Sequence, residues 1–157
     1  MTVNTCDLYD LHGDEARVIG APFVDFGGRA AFSGKAVTIK CFEDNSRLKE
    51  LSREPGRGKV LVVDGGGSLR AALMGDMIAE AAARAGWEGV IIFGCIRDTA
   101  RLRTLDLGIK ALAATPRKSA RNGEGKSGVP VQIAGVWIRP GERIFADEDG
   151  ILILGGD

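Results

Sequence analysis

The sequence predicts an α/β fold in a single domain, with a parallel βαβ portion followed by an antiparallel β portion. The apolar run KVLVVD at 59–64 is typical of a parallel strand that is buried on both faces. A second apolar run, GVIIFG at 89–94, follows an alanine-rich segment, so strand, helix and strand form one βαβ unit. The chain has 157 residues, 45% of them hydrophobic, which suffices for one domain over 1–157.

The individual elements follow from hydrophobic periodicity and from helix stop signals. Helices are predicted over 5–11, 44–51, 76–85 and 99–105, and strands over 36–42, 59–64, 89–94 and 108–114. Gly27-Gly28 and Ser33-Gly34 are predicted to bracket short segments of a hairpin-like region. After Pro116 a polar loop leads to VQIAGVWIRP and ERIFADEDGILIL, predicted as strands with turns at 140–141 and 149–150. Trp87 and Trp137 are expected to anchor packing.

Charge and hydropathy exclude several classes of protein. The 21 basic and 21 acidic side chains cancel, which removes the positive field that drives most direct nucleic-acid binding. No apolar run approaches the about 18 residues of a membrane span, and the first ten residues lack the pattern of a signal peptide. We therefore expect a soluble, cytoplasmic protein without a membrane partner.

The cysteine and histidine content argues against zinc and serine-protease chemistry. Cys6, Cys41 and Cys95 are an odd number at wide spacing, which fits neither a disulfide framework nor a structural zinc site. His12 is the only histidine, so a Ser-His-Asp triad is disfavoured. Cys95 is interpreted as a small buried hydrophobe.

Two charged clusters form the candidate site. Asp76 begins the alanine-rich helix, and Arg97-Asp98 closes the strand GVIIFGCI, with twenty residues between Asp76 and Arg97. Ligands of open α/β sheets bind outside the carboxyl ends of the strands, so we expect both clusters to face one cleft. Asp98 is a hard oxygen ligand suited to Mg²⁺ or Mn²⁺, and Arg97 is suited to stabilise a developing oxyanion. The alternative is structural: Arg97-Asp98 caps a helix, and Asp76 is an ordinary N-terminal helix residue.

The start of the same helix is a candidate cradle for a carboxylate. Gly75, Asp76, Met77 and Ile78 would offer unpaired backbone N–H groups at the positive end of the helix dipole. This predicts an anionic substrate.

Two further signals have both a functional and a structural interpretation. The loop DGGGS at 64–68 is compatible with a nucleotide or S-adenosylmethionine site, but G-x-G-x-x-G is broken by Arg70, which favours a tight turn. Residues 101–126 carry seven basic and two acidic side chains, and 142–157 carry one basic and five acidic side chains. This asymmetry either steers an anionic substrate or an RNA partner, or is a solvated surface, which we favour.

Five segments carry a resemblance to a known family. They are FGGRAAFSGKAVTIKCFEDN, VLVVDGGGSLRAALMGD, GWEGVIIFGCIRD, LDLGIKALAATPRKS and FADEDGILIL. Together they resemble the family that contains the regulator of ribonuclease activity A and the class II 4-hydroxy-4-methyl-2-oxoglutarate aldolases. An Asp followed after twenty residues by Arg-Asp is the pattern of the aldolase members, and it stands here as Asp76, Arg97 and Asp98. Regulator members typically lack the second Asp.

The resemblance implies a swivelling β/β/α fold, a homotrimer with sites between subunits, and a metal-dependent lyase. Gly75, Asp76, Met77 and Ile78 would bind the pyruvyl carboxylate of a 2-keto acid substrate. Arg97 would contact the keto oxygen, Asp98 would hold Mg²⁺ or Mn²⁺, and Asp76 would assist proton transfer. The implied reactions are cleavage of 4-hydroxy-4-methyl-2-oxoglutarate to two pyruvates and decarboxylation of oxaloacetate, through a shared pyruvate enolate.

The family also suggests alternatives. One is a regulator that binds and inhibits an RNA-degrading endoribonuclease, and another, a demethylmenaquinone methyltransferase, rests only on the glycine loop. Longer aldolases of the family have a carboxy-terminal extension that supplies a carboxylate to the adjacent site, whereas this sequence stops at Asp157. The segment FGGR at 26–29 is a candidate for the subunit interface.

Overall fold

Parallel and antiparallel strands join in one mixed sheet in the computed structural model, which describes residues 3–156. The strands are Arg17–Ile19 (β1), Val24–Asp25 (β2), Phe32–Lys40 (β3), Lys59–Asp64 (β4), Ala72–Met74 (β5), Gly89–Ile96 (β6), Gly108–Ala114 (β7), Lys126–Ser127 (β8), Val131–Ile133 (β9), Val136–Ile138 (β10), Arg143–Asp147 (β11) and Gly150–Leu154 (β12). The helices are Thr5–His12 (α1), Ser46–Ser52 (α2), Asp76–Arg84 (α3) and Thr99–Leu102 (α4), and a 3-10 turn covers Gly13–Glu15.

Strand β3 is the junction between the two portions of the sheet. The strand order is β1-β12-β11-β3-β4-β6-β7-β2, with β5 paired to β6 and β8 paired to β3. Pairs β3–β4, β4–β6, β5–β6 and β6–β7 are parallel, whereas β3–β11, β11–β12 and β1–β12 are antiparallel. The predicted α/β fold with a parallel and an antiparallel portion is thus confirmed.

The sheet lies between a helical layer and a β-hairpin, which gives the β/β/α arrangement. In β4, Leu61 and Val63 pack in a cluster with side chains of α2, α3 and α4, while Val60 and Val62 pack in a second cluster with the β9–β10 hairpin. All four side chains are fully buried. A strand covered on both faces has no polar side, which explains the continuous apolar run of the sequence.

Several predicted elements end elsewhere, for identifiable local reasons. The segment 131–140 is a hairpin rather than one strand, because Ala134 and Gly135 adopt φ of 49° and 83°, as in a type I′ turn. The predicted break at Ser33-Gly34 is wrong, since both residues lie inside β3. A Cβ on Gly34 would lie 2.8 Å from the carbonyl oxygen of Gly58, so this glycine serves close packing and not a turn.

The two tryptophans behave differently. Trp87 is buried, as expected, but Trp137 is 51% exposed and anchors no core.

Cys41 and Cys95 are buried free thiols, and Cys95 packs as the predicted small hydrophobe. Within residues 3–156, no helix has both the length and the apolar character that crossing a membrane requires.

The FGGR segment is used inside the chain. Phe26 lies in the main core, and a Cβ on Gly27 would lie 2.1 Å from the carbonyl oxygen of Leu107. Arg29 forms ion pairs with Glu88 and Asp106. These contacts account for the segment without a subunit interface, and the homotrimer stays a prediction.

A buried carboxylate fixes the amino-terminal helix to the sheet. Asp147, at the end of β11, is 4% exposed and accepts hydrogen bonds from Thr5 N–H at 2.8 Å and from Thr5 Oγ1 at 2.6 Å. Asp149 N–H donates to the same carboxylate at 3.0 Å. Burial opposes ionisation, but these hydrogen bonds outweigh it and hold the pKa of Asp147 below its usual value.

Replacing Asp147 by Asn should lower the free energy of unfolding at pH 7 by about 1–3 kcal/mol, because the carboxylate's charged hydrogen bonds are lost. Since the folded-state pKa is lowered, this stabilisation is present above the unfolded-state pKa of about 3.9 and is lost as the pH falls through the folded value. Urea unfolding between pH 2 and pH 7 should therefore show a smaller loss on acidification in the variant. Glu148→Gln, in the exposed turn beside it, is the control. Equal pH dependence in wild type and Asp147→Asn would contradict the assignment.

Candidate active site

The ends of two parallel strands bring the two charged clusters together. In the β5–β6 pair, Met74 lies opposite Ile96, and the N–H of Arg97 donates to the carbonyl oxygen of Met74 at 3.0 Å. Gly75 and Arg97 therefore follow neighbouring strands at the same edge of the sheet. This is the position at which open α/β sheets bind ligands.

A cleft of about 410 Å³ opens at this edge. All the predicted site residues, which follow the ends of β5 and β6, line it. A second group, which the sequence analysis did not select, comes from β5, from the loop after β7 and from the N-cap of α2: Asn45, Ala72, Lys118, Ser119, Ala120 and Arg121. We call this second group the loop wall.

Asp98 adopts a backbone conformation that is uncommon for a residue with a side chain. Its φ of 62° and ψ of 42° lie in the left-handed region. This conformation turns the carboxylate back over the cleft, where Oδ2 accepts a hydrogen bond from the N–H of Asp76 at 2.8 Å. The side chain makes no capping hydrogen bond to α4. The carboxylate thus accepts from the first N–H of α3, so the capping alternative applies to α3 and not to α4. A strained residue in a cleft is typical of a functional site.

Gly75 is required by the proximity of these side chains. A Cβ at this position would lie 2.6 Å from Oδ2 of Asp98 and 3.3 Å from both Cγ and Nε of Arg97. Only a glycine lets the carboxylate and the guanidinium approach the chain between β5 and α3. The sequence argument assigned Gly75 to the anion cradle, whereas the structure shows that it makes room for Asp98.

Of the four N–H groups that the sequence analysis proposed as a cradle, that of Asp76 is used within the chain. The N–H of Asp76 is taken by Asp98, and that of Ala79 donates to the carbonyl oxygen of Gly75 at 3.1 Å. Among the residues that the structure describes, the N–H groups of Met77 and Ile78 have no acceptor. Both residues line the cleft, and the side chain of Met77 is 80% exposed whereas that of Ile78 is buried.

Arg97 is held from two sides. Its side chain passes Gly75, and Nη1 donates to the carbonyl oxygen of Pro116 at 3.4 Å. The guanidinium thus lies between the start of α3 and the loop after β7. A planar cation in this position suits an oxygen atom on which negative charge develops.

The residues of the loop wall change the interpretation of the basic segment 101–126. Lys118 and Arg121 belong to residues 101–126, which we interpreted as a solvated surface, yet both line the cleft. The available signal was topological: β7 runs parallel to β6, so its carboxyl end reaches the same edge, and the basic loop follows directly. The charge pattern alone does not distinguish a wall of a cleft from a surface.

The glycine loop at 65–67 is a structural turn. The N–H groups of Gly65 and Gly67 both donate to the carbonyl oxygen of Phe93 at 3.1 Å, and that of Gly66 donates to Oδ1 of Asp64 at 3.0 Å. A phosphate or S-adenosylmethionine site needs these groups for the ligand. Their use within the chain supports the tight-turn interpretation.

The donor set of the cleft suits a cation that keeps most of its water. No group of three His, Cys, Asp or Glu side chains that could enclose a metal occurs within residues 3–156. Asp98, with one oxygen engaged by Asp76 N–H, is the carboxylate placed between Arg97 and α3. Mg²⁺ is commonly held by one or two carboxylates together with substrate and water. Asp98 fits that role, whereas an enclosed zinc site does not fit.

Comparison with known proteins gives similarity over almost the whole chain. A protein of Pseudomonas fluorescens strain SBW25, which bears the provisional name 4-hydroxy-4-methyl-2-oxoglutarate aldolase, is 55% identical over 149 residues, covering 95% of this chain and 91% of its own length.

Two solved structures share the fold. The structure of the RNA-processing inhibitor RraA from Thermus thermophilus has a TM-score of 0.95 at 46% identity and covers 99% of this chain and 94% of its own. A Geobacillus kaustophilus protein named S-adenosylmethionine:2-dimethylmenaquinone methyltransferase has a TM-score of 0.95 at 42% identity, covering 98% and 96%. The family model described as RraA-like, Aldolase/RraA, matches residues 3–153, and this chain belongs to that family.

Proposed function

We propose that this chain is a divalent-metal-dependent lyase that cleaves 4-hydroxy-4-methyl-2-oxoglutarate to two pyruvates and also decarboxylates oxaloacetate. The observation that carries the proposal is the hydrogen bond of 2.8 Å between Asp76 N–H and Asp98 Oδ2, which joins the start of α3 to the Arg-Asp pair in one cleft. The name of the Pseudomonas fluorescens relative supports the same reaction. We further expect that the protein is cytoplasmic and that it forms a homotrimer.

The cleft suggests how a 2-keto acid would bind. The N–H groups of Met77 and Ile78 would bind the 1-carboxylate, where the helix dipole also favours an anion. The guanidinium of Arg97 would donate to the 2-keto oxygen. Asp98 would hold Mg²⁺ or Mn²⁺, which supplies Lewis-acid polarisation of that carbonyl group.

The reaction requires a place for one electron pair and one proton. In the aldol cleavage the 4-hydroxyl group loses its proton, the C3–C4 bond breaks, and its electron pair moves toward the 2-keto oxygen. Arg97 stabilises the negative charge that develops there. Asp76, at the mouth of the cleft, is the candidate that accepts the hydroxyl proton through a water molecule and returns a proton to C3. In oxaloacetate the same electron pair is released as carbon dioxide departs, so one site serves both substrates.

The test is pyruvate release from both substrates by the purified protein with Mg²⁺, with Mn²⁺ and with EDTA. We expect release with either metal and none with EDTA beyond the protein-free background. Because Lys118 lines the cleft, borohydride added with pyruvate distinguishes a Schiff-base mechanism, and we expect it to leave activity unchanged. Inactivation by borohydride together with full activity in EDTA would overturn the metal-dependent proposal.

The second candidate is a protein that binds and inhibits an endoribonuclease. It is favoured by one specific observation, the similarity to the Thermus relative, which is named an RNA-processing inhibitor and is 46% identical. Absence of release above the metal-only background, together with inhibition of an endoribonuclease by the purified chain, would favour this candidate.

A further inference from the structure

We infer that Arg121 binds a second carboxylate of the substrate and thereby selects 2-keto dicarboxylic acids over 2-keto monocarboxylic acids. This inference rests on the proposed 2-keto acid site and adds the residue that would recognise the second carboxylate of the substrate. Arg97, Asp98 and Arg121 line the same cleft of about 410 Å³. A substrate anchored at its keto end would thus share the cleft with a second guanidinium.

Asn45 orients the guanidinium of Arg121. Oδ1 of Asn45 accepts a hydrogen bond from Nε of Arg121 at 3.1 Å, and Nδ2 of Asn45 donates to the carbonyl oxygen of Leu73 at 3.2 Å. Asn45 is buried and thus links β5, which precedes Gly75, to Arg121. Among residues 3–156 the two terminal nitrogens of Arg121 have no hydrogen-bond partner. A guanidinium anchored at Nε keeps its outer donors for a bidentate contact with a carboxylate.

The backbone around Arg121 is held as firmly as its side chain. The carbonyl oxygen of Ala120 accepts from Asn45 N–H at 3.1 Å, and the N–H of Ala120 donates to the carbonyl oxygen of Glu43 at 2.9 Å. The N–H of Asn122 donates to Oδ2 of the buried Asp44 at 2.6 Å. The backbone on both sides of Arg121 is thus fixed by hydrogen bonds, although Arg121 itself is exposed.

Asp44 is ionised at neutral pH and keeps this attachment charged. Burial opposes its ionisation, but hydrogen bonds from Ser46, Asn122 and Glu124 outweigh that effect and hold the pKa of Asp44 below its usual value. A hydrogen bond to a carboxylate is stronger than one between neutral groups. The loop that carries Arg121 is therefore fixed before any substrate arrives, which lowers the cost of binding.

Lys118 is the competing cation, but unlike Arg121 it is not anchored by another side chain of the described residues. It lines this cleft and also the neighbouring depression beside Glu43, Arg70 and Arg117. Within the described part of the chain its ammonium group makes no ion pair or hydrogen bond that would aim it at either side. An ammonium on a flexible stem acts as a point charge and recognises carboxylate geometry poorly. Arg121 is therefore the group that selects.

The test compares two ligands of equal length that the enzyme cannot cleave. 2-Oxoglutarate and 2-oxopentanoate differ by a carboxylate against a methyl group at the end remote from the keto acid. Calorimetry with Mg²⁺ should show about 10- to 100-fold tighter binding of 2-oxoglutarate by wild type, as expected for one charge-assisted contact. Arg121→Gln should abolish this preference and leave the Kd for 2-oxopentanoate unchanged.

Two further variants separate positioning from charge. Asn45→Ala should reduce the preference in part, because Arg121 keeps its charge but loses its anchor, while Lys118→Gln should retain it. A merely structural effect of Asn45→Ala would weaken both ligands equally. Equal binding of the two ligands by wild type, or an undiminished preference in Arg121→Gln, would overturn the inference while the 2-keto acid site stands. If neither 2-oxoglutarate nor 2-oxopentanoate binds, the 2-keto acid site is overturned, and this inference with it.

Discussion

Replacing Asp98 by Ala should abolish metal-dependent pyruvate release while the protein remains folded. The carboxylate is the donor that the cleft places beside Arg97, and its Oδ2 is fixed by the N–H of Asp76 at 2.8 Å. Removal of a group that stabilises developing charge costs about 10²–10³-fold in rate, and loss of the cation should add to this. The fold should persist because Asp98 is exposed and its side chain contributes one hydrogen bond, to the start of α3, and none to α4. Turnover with Mg²⁺ and calorimetric titration of Mg²⁺ are the measurements.

A matched variant separates the charge of Asp98 from its hydrogen bond. Asp98→Asn keeps an oxygen that accepts from Asp76 N–H but lacks the negative charge, so it should bind Mg²⁺ almost as poorly as Asp98→Ala. Asp14→Ala removes an exposed carboxylate of the 3-10 turn, outside the cleft, and should have wild-type activity. Full turnover by Asp98→Asn would show that the side chain orders α3 rather than a cation.

The central βαβ unit could be predicted because its signals are local and continuous. Strands β4 and β7 begin and end where the apolar runs do, and α3 begins at the predicted Asp76. Both faces of β4 are buried, so packing and periodicity give the same answer. The convergence of Asp76 with Arg97 and Asp98 depends in addition on the parallel pairing of β5 with β6, and β5 was not among the predicted strands.

The loop wall could not be predicted, since the positions of its residues depend on contacts between segments that are distant in sequence. Asn45 and Arg121 are 76 residues apart, and the hydrogen bond between them follows no period of helix or strand. The backbone of Glu43 adopts a φ of 54°, which directs its carbonyl oxygen to the N–H of Ala120. Propensity does not indicate this conformation, because a left-handed glutamate is set by its surroundings.

Asp98 was predictable in part: the sequence indicates the residue but not its conformation. The Arg-Asp pair marks the residue in the sequence, but it does not indicate that Asp98 has a φ of 62°. With that backbone angle the carboxylate accepts from Asp76 N–H at the start of α3 and makes no capping hydrogen bond to α4. The sequence thus indicates the candidate residue, whereas the direction of its side chain required the structure.

Replacing Gly75 by Ala should reduce kcat/KM by about 100-fold, the loss expected when a catalytic group moves by about 1 Å. The new Cβ would lie 2.6 Å from Oδ2 of Asp98, too close for any real contact, and 3.3 Å from Nε of Arg97. The backbone of Gly75, at φ −123° and ψ −159°, is open to alanine, so the strain falls on the two side chains and not on the fold. The carboxylate must turn away from Asp76 N–H, and both metal affinity and turnover should fall.

Gly20→Ala is the control for this experiment, because a Cβ on Gly20 meets no atom within 4 Å. Both variants should unfold at nearly the wild-type temperature, but only Gly75→Ala should need more Mg²⁺ for half-maximal activity. This increase separates displacement of Asp98 from general damage, which would lower the rate at every metal concentration. Wild-type Mg²⁺ dependence in Gly75→Ala would mean that Asp98 can leave its hydrogen bond to Asp76 without consequence, and the cation would then have to be held elsewhere in the cleft.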